Sequence, residues 1–168
     1  VDDDSVRPTP RPTLAHPTLA DGADMWRVAR DSAVLDLNSV YAYLLWARDF
    51  SSTSLVARID GRVCGFVSGY LRPDAPGTLM VWQIAVDAAA RGTGLAGRLL
   101  DALADATSAT TLETTITEAN AASRRLFASF AERHGAELDV TELFTAAHFP
   151  ADAPAEAELL HRISPLAR

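Results

Sequence analysis

The 168-residue chain contains no lysine, so all 15 of its fixed basic side chains are arginines. They face 22 aspartates and glutamates, which leaves a formal net charge of −7. A surface of that sign repels nucleic-acid phosphates and favours small cationic partners. Without lysine, no phosphate-binding P-loop of the GxxxxGK[ST] type can be built. A single cysteine, Cys64, excludes an intrachain disulfide and suits a reducing compartment. One cysteine and four scattered histidines offer no metal-ligand cluster. No stretch approaches the roughly 18 consecutive apolar residues of a membrane helix. The opening VDDDSVRPTPRP lacks the basic start and apolar run of a secretory signal. These absences point to a cytoplasmic protein with no nucleic-acid or membrane partner and no metal.

A chain of this length, 48% hydrophobic, can bury one sizeable core. Residues 1–13, with Pro8, Pro10, Pro12 and three consecutive aspartates, are expected to be unstructured, leaving a single domain over 14–168. A short strand is predicted near 13–16. Asp21 is placed to cap a helix over GADMWRVARDS, and Asn38 or Ser39 to cap a second one carrying Tyr41, Leu44, Leu45 and Phe50. Asp60-Gly61 between SLVARI and VCGFVSGYL marks a hairpin, and RPDAPG a further turn. TLMVWQIAV, 78–86, reads as a central strand. Simple alternation puts Met80, Trp82, Ile84 and Val86 on one face, with Val81, Gln83 and Ala85 on the other. A strand at 110–116 precedes a helix ending near Gly135. ELDVTELF and AELLHRI then read as two antiparallel strands.

The most informative segment is IAVDAAARGTGLAGRLL, 84–100, where a buried strand gives way to a glycine-opened helix. Glycines let backbone amides approach a ligand, the helix start adds positive potential, and Arg91 completes a pyrophosphate receptor. Gly92, Gly94 and Gly97 match GxGxxG by letter. However, the dinucleotide fingerprint belongs after the first strand of a βαβ unit, and here it follows the fourth. Arg91-Gly92-Thr93-Gly94-Leu95-Ala96 instead resembles motif A, R/Q-x-x-G-x-G/A, of the GNAT acetyltransferases. The resemblance implies an α/β (α+β) acyl-CoA N-acyltransferase fold, with a central mixed, mostly antiparallel sheet flanked by helices. It further implies that amides of residues 91–97 hold the pyrophosphate of acetyl-CoA, while Ala85 and Val86 bond its pantetheine arm. Asn120, Ser123 and Phe127 resemble the N-x-x-A-x-x-x-Y stretch of motif B. Phe127 replaces the tyrosine that often reprotonates the CoA thiolate, and a phenyl ring has no proton to give.

LDLNSVYAYLLWARDF, GRVCGFVSGY, VWQIAV and LETTITEANAASRRLF together are similar to the L-2,4-diaminobutyrate acetyltransferases of ectoine biosynthesis, over about residues 14–163. That resemblance implies acetylation of the γ (N4) amine of L-2,4-diaminobutyrate by acetyl-CoA, in a homodimer. It also implies that Asp36, Tyr41 and Trp82 lie around the diamine.

Chemistry adds further candidates. Direct attack by the amine needs no covalent intermediate, which agrees with the lack of a nucleophile–His–Asp signature. Cys64, inside VCGFV, reads as core packing. The amine arrives as an ammonium that carboxylates must attract and a base must deprotonate. Asp36 serves either as a helix cap or as a substrate contact. Trp82 is either core or a cation–π wall. Gln83, polar in an apolar strand, needs a partner or lines the cleft. Asn38 and Glu158 join the substrate candidates, and Tyr41, Glu113 and His148 are the catalytic ones. Two alternatives stay open: an acetyltransferase for another small amine (a polyamine, amino acid or aminoglycoside), and a CoA-binding protein without catalysis.

Overall fold

A computed structural model describes residues 11–33, 35–153 and 155–166. The expectation for residues 1–10 lies outside these. The first element among the described residues is β1 (Thr13–Ala15), which includes Thr13 of the segment expected to be unstructured. Helix α1 (Gly22–Ser32) and helix α2 (Val40–Asp49) follow. Ser39 caps α2 by accepting from the Ala42 amide at 3.4 Å. Asp21 precedes α1 but does not cap it with its side chain. Its carboxylate instead accepts from the Thr18 amide at 2.7 Å and from Arg58 at 2.6 Å. Burial opposes the charged form of Asp21, yet these two donors outweigh it and hold its pKa below the ordinary carboxylate value.

β2 (Ser54–Ile59) and β3 (Arg62–Arg72) form the anticipated hairpin, with Asp60 and Gly61 at φ 50° and 80°. Two positive-φ residues in succession are what a tight two-residue hairpin turn requires. β4 (Ala75–Val86) starts just after Pro73-Asp74, so Pro76 and Gly77 lie within the strand. Next come α3 (Leu95–Thr107), β5 (Thr111–Thr117), α4 (Ala121–His134), β6 (Glu137–Phe144) and β7 (Glu158–Ser164). Gly135 ends α4 in the left-handed region, as expected of a C-cap.

Among the described residues the strands form one seven-stranded sheet, ordered β1-β2-β3-β4-β5-β7-β6. Every pairing is antiparallel except β4–β5. α1 and α2 cover one face: Met25, Val28, Tyr43 and Ala47 pack on Val56, Phe66 and Ala85. α3 and α4 cover the other, where Leu99, Leu103, Phe127 and Phe130 meet Val67, Leu79, Leu112 and Ile163.

Between Leu79 and Val86, alternation along β4 fails at one point. Gln83 pairs with Ser68 and Val81 with Gly69, leaving Trp82 without a partner, a β-bulge. Leu79, Val81, Ile84 and Val86 therefore share the α3/α4 side, while Ala85 joins the α1/α2 cluster. The two-face reading is corrected accordingly, because an extra residue shifts the pleat by one. Gly69 permits the bulge: a Cβ there would lie 2.6 Å from the Met80 carbonyl oxygen.

Candidate active site

β4 and β5 pair only at Thr78–Met80 with Thr111–Glu113. Beyond Met80 no strand among the described residues bonds that edge of β4, so the sheet opens between the ends of these two strands. The α3 start lies at this opening. Gly92 and Gly94 sit at φ 75° and 76°, and a Cβ on either would meet nothing within 4 Å. Their backbone is bare towards open space, as a phosphate cradle requires.

Two adjoining hollows of about 220 and 300 Å³ form a groove here and share Val86, Arg91, Ala96 and Leu126. Gly92, Gly94, Leu95 and Gly97 line the outer hollow, and Ala85, Asn120 and Ser123 the inner one. Thr93 lies outside the lining and turns its hydroxyl back to the Ala90 carbonyl at 2.7 Å. Phe127 is also outside, sealed in the core. α4 presents Ala122, Ser123 and Leu126 to the groove, and Phe127 stands about 100° further round the helix. Leu126 went unanticipated because the motif spacing pointed to its neighbour.

Across the opening lies a cleft of about 600 Å³ that holds Asp36, Asn38, Trp82, Gln83 and Glu158. Asn120 borders both the cleft and the inner hollow. Thr115, Thr117, Phe149 and Glu156 also line the walls, though none of them was among the candidate site residues. Thr115 was within reach of strand alternation, being two residues from Glu113 on the same face. Phe149 and Glu156 lie in an irregular loop, where no periodicity signals orientation.

The cleft is acidic. Burial pushes the Glu158 carboxyl up, and the nearby Asp36 and Glu156 charges add to this. A hydrogen bond from Thr115 partly offsets them. Trp82 stacks on Trp46. Gln83 uses both ends of its amide: Nε2 donates to the Asp36 carbonyl at 2.9 Å, and Oε1 accepts from the Tyr43 hydroxyl at 2.8 Å.

The three catalytic candidates stand outside the cleft lining. Tyr41 is 68% exposed, because α2 buries the face of Tyr43 and Ala47. His148 is exposed, and its Nδ1 accepts from the Thr145 amide at 2.9 Å. Glu113 is 2% exposed but gives one oxygen to Arg72 at 3.0 Å and the other to Arg162 at 2.8 Å. Both of its oxygens are thus engaged by guanidinium groups outside the cleft lining. Among the described residues, no group of His, Cys, Asp and Glu is gathered to hold a metal ion. No helix there is long and apolar enough to cross a membrane.

An opened parallel strand pair, a glycine-edged groove at a helix start and an acidic cleft beyond it define an acyl-CoA-dependent acetyltransferase. The acetyltransferase (GNAT) family model matches residues 22–131. The L-2,4-diaminobutyric acid acetyltransferase of Streptomyces coelicolor is 58% identical over 91% of this chain and 92% of its own length. The enzyme of that name from Marinococcus halophilus is 42% identical over 90% and 89%. The diaminobutyrate acetyltransferase of Paenibacillus lautus, solved with its substrate L-2,4-diaminobutyric acid and coenzyme A, superposes with a TM-score of 0.89. It is 36% identical, over 95% of this chain and 98% of that one. Ard1 of Thermoplasma volcanium, at 16% identity and a TM-score of 0.74, shares the fold. The chain belongs to the L-2,4-diaminobutyric acid acetyltransferases of the GNAT family.

Proposed function

We propose that this chain transfers the acetyl group of acetyl-CoA to the γ (N4) amine of L-2,4-diaminobutyrate, a step of ectoine biosynthesis. The products are N4-acetyl-L-2,4-diaminobutyrate and CoA. The observation that carries the reading is the junction at Asn120, where the glycine-edged groove and the acidic cleft meet.

The groove suits acetyl-CoA. Amides of residues 91–97 and the Arg91 guanidinium supply positive charge for the pyrophosphate at the start of α3. Ala85 and Val86, on the edge of β4 that no strand covers, face the pantetheine arm. The thioester then ends beside the acidic cleft.

The acceptor γ-amine is protonated at neutral pH, with a pKa of ~10 by analogy with lysine. Asp36, Glu156 and Glu158 draw the ammonium into the cleft, and Trp82 and Asn38 bound it. Only the neutral amine attacks. We assign removal of its proton to Glu158, a half-buried carboxylate whose proton affinity desolvation raises. The amine nitrogen bonds to the thioester carbon, the carbon–sulfur bond breaks, CoA leaves as a thiolate, and the second proton the nitrogen sheds passes to solvent or to that thiolate. A thiol pKa near ~8.5 makes that departure possible without a proton from position 127.

We read the protein as a single domain from residue 14 onward and as a cytoplasmic homodimer. Exposed apolar side chains at Leu37, Val40, Tyr41, Leu143 and Phe144 support self-association, which would cover Tyr41. Acetyl-CoA use and the free thiol of Cys64 support the compartment.

Acetyl-CoA turnover with L-2,4-diaminobutyrate, alongside spermidine, lysine and ornithine, tests the reading, with the acetylated nitrogen located by NMR. Selective γ-acetylation of diaminobutyrate is expected. Turnover confined to another amine would overturn the acceptor assignment and leave the groove assignment standing.

A further inference from the structure

Resting on that reading, we infer that Tyr43 and Gln83 are positioning residues that clamp the Asp36–Asn38 loop and thereby set the acceptor site. Tyr43 is completely buried on α2, and its hydroxyl donates to Gln83 Oε1 at 2.8 Å. Gln83 Nε2 then donates to the Asp36 carbonyl at 2.9 Å. The loop is thus gripped at the Asp36 backbone by one buried pair. That grip runs from α2 to β4 and fixes the backbone on which Asp36 and Asn38 enter the cleft.

Three features make this a device rather than incidental satisfaction of polar groups. Gln83 sits beside the bulge at Trp82, which lets consecutive residues Trp82 and Gln83 both reach α2. Tyr43 is fixed from two further sides, edge-on to Phe66 at 6.1 Å and against Trp82 at 6.0 Å. The loop has little other hold, since Asp36, Leu37, Asn38 and Ser39 are all exposed. Its side-chain bond from Asn38 Nδ2 to the Asp36 carbonyl is long, at 3.3 Å.

The assignment also separates Gln83 from direct substrate contact. An amide that meets the ammonium itself would act independently of Asp36, whereas a clamp acts through it. Double-mutant cycles distinguish the two.

The test measures KM for both substrates in Tyr43→Phe, Gln83→Met, Asp36→Ala and the Asp36→Ala/Gln83→Met double variant. Losing one such hydrogen bond corresponds to about a five-fold effect. KM for diaminobutyrate is expected to rise about that much in Tyr43→Phe, with KM for acetyl-CoA within about two-fold. Asp36→Ala should cost clearly less in the Gln83→Met background than alone. Equal costs in both backgrounds, or a fall in melting temperature with both KM values unchanged, would overturn the clamp. Tyr43→Phe keeps the ring packing and carries the same cycle with Asp36→Ala if Gln83→Met does not fold. A wild-type enzyme inactive on diaminobutyrate would sink the acceptor reading alone. Backbone hydrogen exchange across residues 36–39 still decides the clamp: it should quicken about five-fold in Tyr43→Phe, and unchanged exchange would refute it.

Discussion

Trp82 stacks on Trp46 with ring centroids 4.5 Å apart and planes 8° from parallel, which ties the bulge of β4 to helix α2. Trp82 also lines the acidic cleft, so the stack joins a packing element to the acceptor site. Stacked aromatic pairs contribute about 0.5–1.5 kcal/mol beyond their burial. Trp46→Ala should therefore raise KM for diaminobutyrate by roughly five-fold and leave KM for acetyl-CoA unchanged. Steady-state kinetics with each substrate varied in turn would check this. Equal changes in both constants would mean general loosening.

Glu158 should govern the acidic limb of activity. Its folded-state pKa is raised, chiefly by burial, so lowering the pH protonates it at a higher pH than an ordinary glutamate. Activity depending on its carboxylate then falls through that raised value. Glu158→Gln should reduce kcat/KM on the order of 100-fold and abolish that limb. A retained limb would place the base elsewhere.

Stability should run the other way at this residue. An acid with a raised folded pKa binds protons more tightly when folded, so its contribution is fully present below the unfolded pKa. It is lost as pH rises from there through the folded value. Glu158→Gln should consequently unfold at a higher temperature than the parent near neutral pH and lose that advantage in acid. Thermal melts at several pH values read this directly.

Glu113 is predicted to matter for folding and not for chemistry. It bridges Arg72 at the end of β3 and Arg162 on β7, next to the last β4–β5 pair. Removing one partner of a fully buried pair costs about 3–5 kcal/mol, and the partly exposed arginines reduce this to roughly 2 kcal/mol. Glu113→Ala should melt roughly 4–8 °C lower, with both KM values kept. A large loss of kcat in fully folded protein would restore Glu113 as a catalytic candidate.

Gly94→Ala separates the groove from the cleft. The left-handed backbone at φ 76° strains a side chain by about 1–2 kcal/mol, although the added methyl meets no protein atom. KM for acetyl-CoA should rise several-fold while KM for diaminobutyrate stays constant. The opposite pattern would remove this loop from cofactor binding.

Local signals carried the site as far as local geometry reaches. Arg91 to Gly97 could be placed because a strand, a turn and a helix start are set by neighbouring residues, and the groove lining follows from them. Asp36 and Trp82, pointed to by the family resemblance, meet in one cleft with Asn38, Gln83 and Glu158, pointed to by residue type. Tyr41, Glu113 and His148 did not, because residue type says nothing about which way a side chain faces.

The sequence by itself determined the order of strands and helices, the hairpin at Asp60-Gly61, the glycine-opened helix and the acidic balance. Each depends on residues within a turn or a strand of one another, or on composition alone. Only the tertiary structure decided the rest. A single inserted residue at Trp82 reversed the pleat and sent Gln83 to Tyr43, while β5 parted from β4 beyond Met80. Glu113 was claimed by arginines 41 and 49 residues away in the chain. Long-range pairing set these outcomes, since the partner that satisfies a buried polar group is fixed by the sheet and not by its neighbours in sequence.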